Sequence, residues 1–380
     1  MRPFPEPVPI TRPLVPDLAR LSARLASVLG SRQLSNGGAQ HAELEAALAG
    51  LTRVDHVALT ASGTTALILA LAALGRRGDE VLTTPYTFAA TTNAIAWAGM
   101  TPVFCDVDAD DWTLSPDALR AALTPRTRGI LAVHTYGIPC RVHAIERFAR
   151  EHGLFVVYDA AHAFGVERGG ESALAWGDAS CVSFHATKLL HTGEGGAVFT
   201  RSAATHARLD RLRNFGLFAR DGEFEVGLNG KMSELSAALG LCVLDEVARE
   251  ITRRGALVVR YQDHFRGVPG LRHVGPPAGV APNHQYFVLA IDAARFGRTR
   301  DEVWEALRAA NVHARRYFHP LTSAVPAWAG VPSARPENLP RAHAAAKEAL
   351  CLPLFGDLGT DVVDRIAEVV LHTAALERAA

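Results

Sequence analysis

Lysine is nearly absent. Of 39 basic residues in the 380-residue chain, only Lys188, Lys231 and Lys347 are lysines. The chain solvates its surface with arginine, so a lysine at a strand end needs a chemical reason. A desolvated ammonium can lose its proton and attack an aldehyde, which arginine cannot do. Excess charge is lacking too: 39 acidic residues leave a formal net charge of +0, which argues against a nucleic-acid or membrane-surface role. Cys105, Cys140, Cys181, Cys242 and Cys351 are widely spaced and form no CxxC pair. They read as buried thiols in a reducing compartment, neither zinc ligands nor a disulfide frame. No apolar run reaches membrane-spanning length without charge, glycine or proline, and Met1-Arg2-Pro3-Phe4-Pro5 lacks the apolar core of a signal peptide. What remains is a cytoplasmic chain of enzyme size, long enough for two cores.

Short apolar runs alternate with amphipathic stretches. Strands are expected near 54–59, 81–84, 101–107, 129–133, 154–158, 179–185 and 197–200, with helices between them. That alternation predicts an α/β protein whose mostly parallel sheet is covered by helices on both faces. A Pro-rich arm over 1–16 precedes it. A long helix beginning at Ser233 leads to a smaller α+β part, with helices near 258–265, 300–310 and 361–377. The expected division is 1–248 for arm and large domain and 249–380 for the small one. Ligands of such sheets gather beyond the carboxyl ends of the strands.

Four features fall at those ends. Ser62-Gly63-Thr64 opens an apolar helix and reads either as an N-cap or as a phosphate site. Phe88, at a strand-to-helix junction, is a core residue or a stacking partner for a flat ring. Asp159 ends the apolar run 154–158, as a helix cap, an ion-pair partner or a site acid, and His162 follows three residues on. Lys188 follows Ser183 and precedes the turn Gly193-Glu194-Gly195-Gly196, which lets the backbone reverse close by. Together they fit pyridoxal 5′-phosphate: an anion site, a ring to stack, an acid that keeps the pyridine nitrogen protonated, and an amine for the aldehyde. Their order, with Asp159 29 residues before Lys188, is that of the fold type I (aspartate aminotransferase-like) architecture.

The motifs Ala61-Ser62-Gly63-Thr64-Thr65-Ala66-Leu67, Gly78-Asp79-Glu80-Val81, Thr87-Phe88-Ala89-Ala90-Thr91, Asp159-Ala160-Ala161-His162-Ala163 and Ser183-Phe184-His185-Ala186-Thr187-Lys188 resemble the DegT/DnrJ/EryC1/StrS sugar aminotransferases. The resemblance runs from Leu34 to the turn Arg315-Arg316-Tyr317-Phe318-His319-Pro320. Within the family, that turn is similar to the dTDP-4-amino-4,6-dideoxyglucose transaminases. The resemblance implies a Schiff-base lysine at Lys188 that also moves the proton, and Asp159 on the ring nitrogen. It implies Ser62, Gly63, Thr64 and Ser183 at the phosphate, Phe88 on the ring, and His162 where many relatives carry glutamine. Asn229 is implied to reach the phosphate of the other subunit in a homodimer. Tyr136, His185, Arg316 and Tyr317 are placed as substrate contacts. The implied reaction carries an amino group from L-glutamate to a keto-sugar nucleotide, dTDP-4-keto-6-deoxyglucose, in ping-pong fashion. Amination at C3, a cyclitol ketone and a non-catalytic regulator are the alternatives. The lysine-to-histidine change of the dehydratase relatives is absent. His191-Thr192-Gly193 and Ser62-Gly63 depart from the dTDP-sugar subgroup near the site.

Overall fold

The computed structural model describes residues 2–218 and 223–375. Seven strands form its main sheet: β1 (His56–Thr60), β2 (Glu80–Thr83), β3 (Thr101–Phe104), β4 (Thr127–Val133), β5 (Phe155–Asp159), then, beyond a two-residue-strand hairpin β6 (Glu167–Arg168) and β7 (Glu171–Ser172), β8 (Ala179–Ser183) and β9 (Gly196–Thr200). Their order is β1-β9-β8-β5-β4-β2-β3, with β9 antiparallel to both neighbours and the other pairings parallel. The expected mixed, mostly parallel α/β sheet is the one observed, with boundaries displaced by a few residues.

Period-two alternation explains the two cores on this sheet. Val57, Leu59, Ile130, Ala132, Val156, Tyr158 and Val182 point into one apolar cluster, whereas Ala58, Leu131, Val157 and Cys181 point into the other. The second cluster holds the helix Gly63–Leu74, which is apolar all round and correspondingly buried. Continuing the alternation by one step sends Val133, Asp159 and Ser183 to that same helix-covered face.

A third cluster surrounds the antiparallel sheet β10 (Leu271–Val274), β12 (Phe287–Ile291), β13 (Ala349–Leu352) and the helices Val247–Phe265, Arg300–Ala309 and Thr360–Ala375. A short β11 (Val280–Ala281) pairs with β6 instead. The helix expected from Ser233 breaks after Leu244 and resumes at Val247, running unbroken to Phe265. The helix Ala203–Leu212 and strand β13 were passed over in the sequence. Residues 376–377 of the expected last helix lie outside the described residues. The Pro-rich arm is extended as expected. It packs on this later core, where Phe4 and Val8 are buried and Phe4 N–H donates to Ala310 O at 3.0 Å.

Candidate active site

A cavity of about 390 Å³ lies beyond the carboxyl ends of β1, β2, β4, β5 and β8. That size suits a small molecule. Its floor follows from strand register: Val133 pairs with Asp159, and Asp159 with Cys181, so three neighbouring strands end in side chains that line it. Ser62, Gly63, Thr64, Phe88, His162, Ser183, His185, Lys188 and Tyr317 join them. The structure thus gathers most of the expected site residues in one place.

At one wall the helix Gly63–Leu74 begins. Ser62 caps it, its hydroxyl oxygen accepting Thr65 N–H at 3.1 Å, and Ala66 N–H bonds Ser62 O. Gly63 and Thr64 N–H groups keep no acceptor among the described residues, so the positive end of the helix is open to an anion. Glycine is required at 63, since a Cβ would stand 2.7 Å from the Ser183 Cβ, and at 196, where it would meet Ser62 and Gly63 backbone atoms at 2.6–2.7 Å. The close approach aligns the Ser183 side chain with the open N–H groups. Phe88 precedes the helix Ala89–Trp97 and is 62% exposed, an apolar ring with one face unoccupied.

Asp159 is buried. Its Oδ2 accepts the Thr91 hydroxyl at 2.8 Å and its Oδ1 accepts Ala161 N–H at 3.1 Å. Burial pushes its pKa up, opposed by these two bonds and by the field of Lys188. Desolvation brings Lys188 down to about 8, with Asp159 pulling the other way. Lys188 Nζ donates to no described acceptor. Its main chain is held from afar: the buried Gln285 accepts Leu189 N–H at 2.9 Å and donates to Thr187 O at 3.2 Å, bracketing the lysine. Two residues earlier, Asn283 donates to His162 O and Phe164 O, both at 2.8 Å. His162 Nδ1 accepts Tyr136 N–H at 3.3 Å, which puts the ring proton on Nε2; burial and Lys188 hold the pKa well below the usual range, so the ring is neutral.

The opposite wall consists of Tyr286, Tyr317 and Phe318. Tyr86 Oη donates to Tyr317 O at 3.0 Å, and Tyr136 Oη reaches the same carbonyl and lies 2.6 Å from Tyr86 Oη. This corrects the expectation for Tyr136. It is buried, its hydroxyl is spent on the 317 turn, and its ring packs on Phe318 at 5.8 Å instead of facing the cavity. Arg316 is also off the wall: Nη1 pairs with Asp301 at 2.9 Å and the guanidinium lies 4.2 Å over the Trp304 ring. Arg315 is exposed, without a side-chain partner among the described residues. Asn229 is exposed and outside the cavity lining, accepting Lys231 Nζ at 2.9 Å, while neighbouring Gly230 O receives Ala61 N–H at 2.7 Å.

Sequence reasoning gave no role to Thr91, Thr87, Tyr286, Gln285 or Phe318. The i, i+4 spacing of Thr87 and Thr91 at a helix start was the one local signal available. The donor set fits pyridoxal phosphate: open N–H groups and a hydroxyl for the phosphate, an exposed ring face at Phe88, a fixed carboxylate, and a low-pKa amine in one cavity.

A sequence profile of the DegT/DnrJ/EryC1/StrS aminotransferase family matches residues 18–371. The chain is 39% identical over 365 residues to a dTDP-4-amino-4,6-dideoxy-D-glucose transaminase of Escherichia coli, covering 96% of this chain and 98% of that protein. It is 34% identical to a UDP-N-acetyl-3-dehydro-alpha-D-glucosamine 3-aminotransferase of Acidithiobacillus ferrooxidans, covering 88% and 89%. Among solved structures, DesI with its TDP-sugar product superposes with a TM-score of 0.94 at 40% identity, covering 100% of this chain and 95% of that one. DesV of S. venezuelae superposes at 0.88 and 32% identity, covering 97% and 99%.

Proposed function

The chain belongs to the DegT/DnrJ/EryC1/StrS aminotransferase family, whose enzymes depend on pyridoxal phosphate, and from that premise we propose that it moves the amino group of L-glutamate to C4 of a dTDP-linked 4-keto-6-deoxyhexose. The observation that carries the reading is the near full-length likeness, at 39% and 40% identity, to a dTDP-4-amino-4,6-dideoxy-D-glucose transaminase and to an enzyme solved with a TDP-sugar product. The relative named for a 3-amination is less similar, at 34%.

The bound cofactor supplies an electron sink for the carbon that loses its proton. Lys188 Nζ is the base that takes this proton from the donor α-carbon and returns one to the acceptor carbon in the second half-reaction. At a pKa of about 8, roughly a quarter of the amine is neutral at pH 7.5, against about one part in a thousand at 10.5. Asp159 holds a positive ring nitrogen by charge. Gly63 and Thr64 N–H groups with Ser183 hold the phosphate, which orients the reacting atoms. Phe88 covers one ring face, and neutral His162 presents its Nε2 proton 3.5 Å from Tyr286 Oη. One cavity serves both half-reactions, so kinetics are ping-pong.

Tyr317 belongs to the acceptor side of the cavity, and Arg315, two residues before it and outside the lining, offers a free fork to a diphosphate that extends beyond the cavity. Two copies make complete sites, each taking Asn229 from the other. This is supported by the apolar strip beside it, Phe215, Leu217, Phe224 and Val226, which is 47–92% exposed. The chain works in the cytoplasm, in keeping with five free, buried cysteines.

The test is a panel of keto-sugar nucleotides incubated with L-glutamate, with products read by mass and the amine placed by NMR. A 4-amino product from the dTDP-4-keto-6-deoxyhexose is expected. Amine at C3, or turnover only of UDP- or GDP-linked ketones, would refute the substrate reading.

A further inference from the structure

Asp159 depends on a device that the reaction itself does not require. A carboxylate as buried as this one tends to keep its proton, yet only its anion can hold a positive ring nitrogen. The titratable groups whose fields reach it are Lys188, which favours the anion, and the thiols of Cys181 and Cys140, which burial keeps neutral. The remaining support is Ala161 N–H on Oδ1 and, on Oδ2, a chain of two hydroxyls. Thr91 Oγ1 lies 2.8 Å from Asp159 Oδ2, and Thr87 Oγ1 lies 2.7 Å from Thr91 Oγ1. Thr91 is fully buried and Thr87 is 3% exposed.

We propose that Thr91, oriented by Thr87, is a positioning residue that locks Asp159 in its ionised form and fixes the direction its free lone pairs face. The argument is one of proton counting. Each hydroxyl has one proton. With Asp159 ionised, Thr87 donates to Thr91 and Thr91 donates to the carboxylate, so every proton has an acceptor. With Asp159 protonated through Oδ2, the chain must reverse: the acid donates to Thr91, Thr91 donates to Thr87, and the Thr87 proton is left without a protein acceptor. Thr87 borders the cavity, so its reversed proton would give up a protein acceptor for whatever the cavity holds, and the chain is biased toward the anion. Its geometry is local. Thr91 is the third residue of the helix Ala89–Trp97 and Thr87 lies one turn earlier, so both face the carboxyl end of β5 across the positive end of that helix. Meanwhile Ala161 N–H occupies Oδ1, so each carboxylate oxygen is held by one donor. The inference rests on Asp159 serving the ring nitrogen and is independent of the acceptor.

The experiment uses Thr91→Val, which keeps shape and removes the donor, Thr91→Ser, which keeps the donor, and Thr87→Val. Two readouts need no turnover. One is the pH dependence of Lys188 acylation in cofactor-free protein, followed by peptide mass. The other is the pyridoxal phosphate Kd across pH. Thr91→Val is expected to move the Lys188 inflection below about 8, because the neighbouring anion is lost, and to raise Kd about tenfold at pH 7.5. Thr91→Ser should restore both, and Thr87→Val should shift both in the same direction by less. In an Asp159→Asn background the Thr91→Val change should add nothing. Wild-type titration and affinity in Thr91→Val, failure of serine to rescue, or an equal loss of affinity in the Asp159→Asn background would each overturn the proposal. If Thr91→Val does not fold, an unshifted Thr87→Val overturns it. No sugar enters either measurement, so a failed acceptor screen leaves it standing.

Discussion

Gln285→Leu tests whether the lysine segment is held from across the molecule. The side-chain amide is buried, 4% exposed, and bonds the main chain on both sides of Lys188. Leucine fills similar space and makes neither bond. It leaves Leu189 N–H and Thr187 O without partners, at about 1–3 kcal/mol each. The sum, about 2–6 kcal/mol, raises the population of locally opened segment by roughly 30-fold to 20,000-fold. Hydrogen exchange read by mass spectrometry on the peptide holding Leu189 should quicken accordingly, while peptides of β4 and β5 stay as in wild type. Opening also admits water to Lys188, so its apparent pKa should climb from about 8 toward 10.5. Gln285→Glu keeps an acceptor for Leu189 N–H but no donor for Thr187 O, and should fall between. An unchanged exchange rate at Leu189 in a folded Gln285→Leu protein would refute the reasoning, because the two bonds would then carry no local stability.

Further outcomes are expected. Because the folded-state pKa of Lys188 lies below its unfolded value of 10.5, the unfolded chain binds more protons between about pH 8 and 10.5, and cofactor-free protein gains stability as pH rises through that window. Lys188→Met should abolish that rise and all turnover, while stabilising cofactor-free protein at pH 7 by up to about 3 kcal/mol in denaturant melts. Phe88→Ala should leave the melting temperature nearly unchanged, since the ring is already exposed, and weaken pyridoxal phosphate by about 0.5–1.5 kcal/mol in an equilibrium titration. Arg315→Ala should raise KM for the sugar nucleotide about tenfold or more with the glutamate half-reaction intact. Arg316→Ala, whose guanidinium is engaged by Asp301 and Trp304, should cost at most about 1 kcal/mol of stability and leave that KM alone. Mixing Lys188→Ala with Asn229→Asp should recover activity absent from either alone, and a fully active monomer would contradict the shared site.

The large sheet was legible because each strand is a short apolar run closed by a turn, and because β5 and β8 end in residues too polar for a core strand. Asp159 stood out for that reason, and Lys188 because lysine is so scarce in the chain. The third core was harder. β13, Ala349-Leu350-Cys351-Leu352, follows its helix without a glycine or proline to mark the change, so its existence depends on pairing with β12. Gln285 matters only through partners about a hundred residues away, and Tyr286 through His162 and Tyr317, which no local pattern encodes. Tyr136 was misplaced because a tyrosine near a strand end reads equally as a site residue or as a strut, and only the position of Tyr317 decides between them. Arg315 and Arg316 share a sequence signature, and the two are separated only by Asp301 and Trp304.

The grip of Tyr86 and Tyr136 on residue 317 is a grip on its carbonyl, not on its side chain. Any amino acid offers that carbonyl, so the docking of the turn is indifferent to what residue 317 is. The ring that lines the cavity there can therefore be exchanged by single substitutions while the strut beneath it persists and Asp159, His162 and Lys188, all encoded before residue 195, stay untouched. A chain built this way can vary the cavity wall at position 317 without disturbing its anchor, and a designer can treat that position as a replaceable tip on a fixed handle.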